Sequence, residues 1–164
     1  MKFFKRNPGI LPLIGGIIAL ISVFTPATTW NPSGSFAIQW MVQLGLTLEP
    51  FIEFGLWRTS PGLISLSLLL SGIIIVSSII TIMLTIIYKI TSKNYKKVKW
   101  VQMSLAILII FSTLAWIIMM ELFYNSQGYS HWQSYDPNFG VIAPFIGSGL
   151  IIISFFLQKL NRII

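Results

Sequence analysis

Residues 59–88 read TSPGLISLSLLLSGIIIVSSIITIMLTIIY, thirty consecutive positions without a charge. About 20 apolar residues, rising 1.5 Å each, carry a helix across the hydrocarbon of a bilayer. This run exceeds that length, so the helix it forms must tilt or continue into the aqueous layer.

Three further uncharged runs flank it. One follows Arg6 and is densely apolar from Ile10 to Phe24; the others are Trp100 to Met120 and Pro137 to Gln158. The chain is therefore expected to be one membrane domain over 1–164. Its spans are placed at 9–27, 61–90, 98–124 and 140–159, its outer loops at 28–60 and 125–139, and a cytosolic loop at 91–97. Pro8 and Pro12 suit the opening turns of the first helix, and Pro61 and Pro144 fall near the outer starts of the second and fourth.

Composition agrees with that solvent. Charged residues make up 9% of the chain and hydrophobic residues 55%, against about 25% charged in a soluble domain. Cysteine is absent, which excludes a disulfide framework, thiolate metal sites and dithiol redox chemistry.

The net charge of +7 is not spread evenly. Lys2, Lys5 and Arg6 precede the first run; Lys89, Lys93, Lys96, Lys97 and Lys99 sit between the second and third; Lys159 and Arg162 follow the fourth. Ten of eleven cations thus fall on one side and only Arg58 on the other. Short Lys/Arg-rich loops stay cytosolic, so both termini are expected inside and the protein in the cell membrane. The basic link is expected to attract anionic lipid head groups. No folded module surrounds it, so nucleic acid is not the expected partner. A basic start with small residues at Thr25 and Ala27 also fits a cleaved signal peptide. The Gly15, Gly16, Ala19, Ser22 spacing instead fits a retained helix with a packing face.

The first outer segment carries a different rhythm. Phe36, Ile38, Trp40, Val42, Leu44, Leu46 and Leu48 occupy every second position, the period of a strand. Gly45 and Pro50 offer a bend and a break, and Phe51 to Trp57 alternates again. The two runs are expected to pair as an antiparallel hairpin, with Tyr129 to Tyr135 as a further strand. The alternative is an amphipathic interfacial helix rich in Trp and Phe.

The layout of four spans, cytosolic ends, a large first outer loop and a small second one resembles the claudin-like superfamily, including the peripheral myelin protein and stargazin-type groups. That family's first loop carries a Trp followed by Gly-Leu-Trp and a cysteine pair. Here Trp30 is followed by Gly55, Leu56, Trp57, Arg58 and Thr59, with Ser60 near where the first cysteine would stand. Both cysteines are missing, and the segment from Trp57 to the second span is short. The resemblance implies a four-helix bundle with a small extracellular antiparallel β-sheet, Trp30 and Trp57 being structural. It implies a non-enzymatic role: lateral self-assembly, cell-surface contact or an auxiliary place beside a larger membrane protein.

Few residues suggest chemistry. Glu121 is the sole acid in an expected span, and an intramembrane ionisable group is a functional candidate. Its place at the outer end, before Tyr124 and Asn125, equally fits an interfacial carboxylate, with Arg58 as a partner. His131 with Asp136 and Glu121 is a thin set for a metal, and no catalytic or cofactor motif is present. Gly15 with Ala19, Ser67 with Ser71, and Ala143 with Gly147 have the small-xxx-small spacing that brings helices together in lipid. They serve packing within one bundle or between copies. Ser65, Ser67, Ser71, Ser77, Ser78, Thr81 and Thr85 are the candidates for a polar stripe. A small transporter or channel subunit, and a lipid-binding or sensory protein, are the competing functions.

Overall fold

The computed structural model describes residues 9–30, 38–40, 61–91, 95–126, 128 and 130–160. The helices are α1 (Ile10–Ser22), α2 (Pro61–Thr91), α3 (Tyr95–Ser126), α4 (His131–Ser134) and α5 (Phe139–Leu160); the strands are β1 (Pro26–Trp30), β2 (Ile38–Trp40) and β3 (Tyr135–Pro137). Ser65–Ile87, Lys97–Ser126 and Phe139–Leu157 are long and apolar enough to cross a membrane. At 13 residues α1 is shorter, about 20 Å of rise.

Main packing runs α1 against α5 and α2, and α3 against α2 and α5. The outer surfaces of these helices are apolar: Leu69, Val76, Phe111, Ile118, Leu122 and Ile146 are all exposed. Ser67, Ser71, Ser77, Ser78, Thr81, Thr85, Ser112, Thr113 and Ser148 are buried instead. Apolar outside and hydroxylic inside is the distribution expected of helices packed in lipid. Thr81, Thr85 and Thr113 donate to the carbonyls of Ser77, Thr81 and Ile109, each four residues back, at 2.8, 2.8 and 2.9 Å. At the sheet end the core turns aromatic, with Trp116, Met120, Val23, Ala27 and Val141 clustered.

The α1–α5 contact rests on missing side chains. A Cβ on Gly15 would strike the Gly147 carbonyl, and a Cβ on Gly147 would strike that of Gly15. On the other flank, a Cβ on Gly16 would come within 2.9 Å of Ile82.

α1 ends five residues short of the expected 27. Thr25 donates its hydroxyl back to the Ser22 carbonyl at 2.8 Å, and Pro26 disfavours helix at the residue before it. Pro26–Trp30 is then the middle strand of a three-stranded antiparallel sheet, ordered β2-β1-β3. Pro26 stands opposite Trp40 and Thr29 opposite Ile38, with a bulge between Pro26 and Thr28. On the other edge Thr28 faces Pro137, and Trp30 faces Tyr135.

The alternation over 36–48 thus corresponds to strand at Ile38–Trp40 among the described residues, and that strand pairs with β1. The 51–57 run lies outside the described residues. The expected strand Tyr129 to Tyr135 is corrected too: His131–Ser134 is a turn of helix, and strand begins at Tyr135. The expected cytosolic loop 91–97 is mostly helix, since Thr91 closes α2 and Tyr95 opens α3; 92–94 lie outside the described residues. Lys96, Lys97 and Lys99 are therefore on α3. Pro144 lies inside α5 rather than at its start.

Two contacts fix the sheet to α5. The Asn138 backbone N–H donates to the Ala27 carbonyl at 2.8 Å, while the Asn138 side-chain oxygen accepts from Phe139 N–H at 2.7 Å. At Gly140 a Cβ would sit 2.6 Å from the Thr25 carbonyl oxygen and 2.7 Å from that of Pro26, so only glycine lets α5 begin this close to β1.

Candidate functional site

Two polar clusters interrupt the apolar bundle, one at each end of α3. At the sheet end, Glu121 sits on the last turns of α3, half-buried. Its Oε1 accepts the Ser130 hydroxyl at 2.8 Å; its Oε2 accepts the His131 backbone N–H at 3.0 Å and, at 3.4 Å, that of Trp132. The carboxylate thus closes the first turn of α4, where backbone N–H groups lack intrahelical acceptors. α3 itself stops beyond Asn125, whose carbonyl accepts the Gly128 N–H at 3.1 Å; Gly128 has φ 90°, open to glycine at no steric cost.

His131 is fully buried. Its ring stacks on Tyr124 and Trp132, both centroids 4.6 Å away, at 46° and 88°. Burial pushes the imidazole down to about 4, and the Glu121 charge pulls the other way without cancelling it. At neutral pH the ring is uncharged. Among the described residues no three His, Asp or Glu side chains come together as a metal site. Glu121 meets the His131 backbone, and Asp136 lies exposed on β3 opposite Thr29.

At the other end, the Gln102 side-chain amide donates to Thr85 Oγ1 at 2.8 Å and makes a longer contact, 3.5 Å, to the Thr81 carbonyl. The Thr85 hydroxyl donates its own hydrogen bond to that same carbonyl at 2.8 Å. This ladder ties α3 to α2. Lys99, one turn before Gln102, is buried as well. Sequence reading placed Lys99 in the basic link and passed over Gln102, though an amide inside an apolar run is itself a signal, because it must find a partner in hydrocarbon.

The other expected site residues divide as follows. Trp30 ends β1. Gly55, Leu56, Trp57 and Arg58 lie outside the described residues, as does the expected Arg58 partner of Glu121. Ala19 packs beside Gly147, whose Cβ would meet the Ala19 Cβ at 3.1 Å, and Ala143 is fully buried. Ser67 accepts the Trp116 indole N–H at 3.0 Å, and Ser71 is buried near it on α2.

These clusters hold hydrogen bonds and orient the short helix α4. Compared with protein-family models, with curated proteins and with solved structures, the chain matches none.

Proposed function

We propose that the chain is a four-span membrane protein of claudin-like layout, with both termini cytosolic, acting without catalysis through side-by-side assembly, surface contact or association with a larger membrane protein. One observation carries this reading. β1 takes β2 from the first outer segment on one edge and β3 from the second on the other, and Asn138 and Gly140 hold the sheet on α5. That gives a folded outer platform on a lipid-facing bundle. The charge bias of the sequence, ten cations to one, supports the orientation. The missing cysteine pair sets the chain apart from animal claudins, and the sheet described here is joined by backbone ladders instead.

A small transporter or channel subunit is the second reading, favoured by the inward hydroxyls of α2. Against it, those of Thr81 and Thr85 are engaged with their own helix, and Ile74, Ile109 and Ile151 are buried in the bundle.

Two measurements test the proposal. The chain has no cysteine, so a single one introduced as Asn94→Cys or Gln127→Cys reports its side directly. Residue 94 should react with impermeant maleimide only from the cytosolic side and residue 127 only from outside; the reverse pattern ends the topology. In proteoliposomes, subunit counting should show lateral oligomers with no ion or solute flux, and conductance would favour the second reading.

A further inference from the structure

Residues 130–137 run as one strap between two fixed points. Before it, Gly128 turns the chain at φ 90° and gives its N–H to the Asn125 carbonyl. After it, the Asn138 N–H is held by the Ala27 carbonyl at 2.8 Å. The front half of the strap is fastened to α3 and the rear half to β1. At the front, the single Glu121 carboxylate accepts the Ser130 hydroxyl and the His131 and Trp132 N–H groups. The His131 ring, fully buried and stacked on Tyr124 of α3, plugs the same place. The rear attachment is a three-residue ladder, in which Thr28 faces Pro137, Thr29 faces Asp136 and Trp30 faces Tyr135. Pairing that short is marginal without support from its neighbours.

Acid acts on both front attachments in one direction. Protonated Glu121 loses the charge that strengthens its bonds to the N–H groups, and one of its oxygens becomes a donor. Protonated His131 carries a charge at a position with no exposed surface. Burial holds that imidazole down to about 4 from an ordinary 6.5, although the Glu121 charge pulls it up. Neutralising Glu121 removes that pull. The titratable groups on the elements packed against α4 are Glu121 and Tyr124 on α3, and Tyr135 and the exposed Asp136 on β3.

We propose that residues 130–137 form an acid-released strap: protonation at Glu121 and His131 frees α4 from α3, and β3 then leaves β1, with Gly128 and Asn138 as the pivots. The opening is local. β1 keeps β2 on its other edge, and Asn138 and Gly140 keep the start of α5 seated on β1. Release uncovers the backbone groups of residues 28–30 that β3 had paired. With both termini cytosolic, as proposed, the strap meets the external pH; its release depends on the fold alone.

The test uses the full chain in detergent, with a nitroxide on Gln133→Cys, an exposed position of α4 in a chain that has no other cysteine. The label should be restrained at neutral pH, become mobile as the pH falls from 6.5 towards 4, and recover on return. A label on Ile142→Cys, exposed on α5, should not respond. His131→Phe should shift the midpoint down by about half a unit or more, and Asp136→Asn should leave it in place. Glu121→Gln should leave the label partly mobile already at neutral pH. Gel filtration at neutral pH checks that each variant is folded; if His131→Phe is not, the unsubstituted titration and Glu121→Gln still decide. A label at 133 that stays restrained in acid, one that moves together with the label at 142, or a midpoint set by Asp136 rather than His131 overturns the strap. Because detergent removes sidedness, these outcomes are separate from the maleimide test of topology.

Discussion

Gly15 on α1 and Gly147 on α5 stand so close that each occupies the space in which the other's Cβ would meet a carbonyl oxygen. The relationship is reciprocal, so either substitution alone separates the helices. Gly15→Ala or Gly147→Ala should cost about 1–3 kcal/mol, the range for overpacking a filled contact. Gly72 and Gly149 have nothing within 4 Å of an added Cβ. Alanine there should be neutral or stabilising by up to about 1 kcal/mol, since glycine weakens a helix interior. Thermal unfolding of the four variants in one detergent checks the contrast, and equal effects at all four positions would contradict the packing described.

Glu121 holds the first turn of α4 through two different oxygens, one for the Ser130 hydroxyl and one for the His131 and Trp132 amides. Glutamine keeps one acceptor for the amides, but its NH2 reverses the bond to the Ser130 hydroxyl, which must then accept, and the charge assistance is lost. Glu121→Gln should therefore fold but loosen α4, and Glu121→Ala should loosen it further, raising amide exchange at 131 and 132 by roughly tenfold. Exchange in α2 and α5 should not change. Hydrogen-exchange mass spectrometry reads both, and faster exchange across every helix would show a global rather than a local role.

The long helices were legible because hydropathy alone sets them: thirty uncharged residues have few ways to satisfy their peptide groups in lipid. Gly15 and Gly147 were each singled out for small-residue spacing, while their approach to one another across α1 and α5 is visible only in the fold. The sheet was harder. Its central strand, Pro26–Trp30, has no clean alternation and falls at the end of an apolar run, so periodicity assigned part of it to a helix. Its identity depends on long-range pairing with Ile38–Trp40 and Tyr135–Pro137, which no local window contains. Lys99 was read with the basic link, and it lies buried on α3. A lysine-rich stretch reads as a solvated link, and only the position of α5 reveals that one of those lysines is covered.

Trp116 donates its indole N–H to the Ser67 hydroxyl at 3.0 Å, with both residues buried. Trp116→Phe keeps most of the ring and should cost about 0.5–1.5 kcal/mol, while Trp116→Ala should cost about 3–5 kcal/mol through the cavity it leaves. Ser67→Ala strands a buried N–H and should cost about 1–3 kcal/mol. The double variant Trp116→Phe with Ser67→Ala should cost less than the two singles added, because neither partner then remains orphaned. Additive costs in a denaturation series would mean that the two groups do not interact.

His131 gives the sheet end a pH dependence whose sign is fixed by its burial. The imidazole titrates at about 4 in the folded chain against an ordinary value of 6.5. Between those values the unfolded chain binds a proton that the folded chain refuses, so stability is complete above about 6.5 and falls as the pH drops towards 4. His131→Phe retains an aromatic ring between Tyr124 and Trp132 but cannot take up the proton. Its melting temperature should decline less than that of the wild type over this window, and the difference between the two curves isolates the histidine from other acid-titrating groups. The curves should converge in shape above pH 7. Parallel curves throughout the window would mean that the imidazole reaches water in the folded state, contrary to its packing between Tyr124 and Trp132.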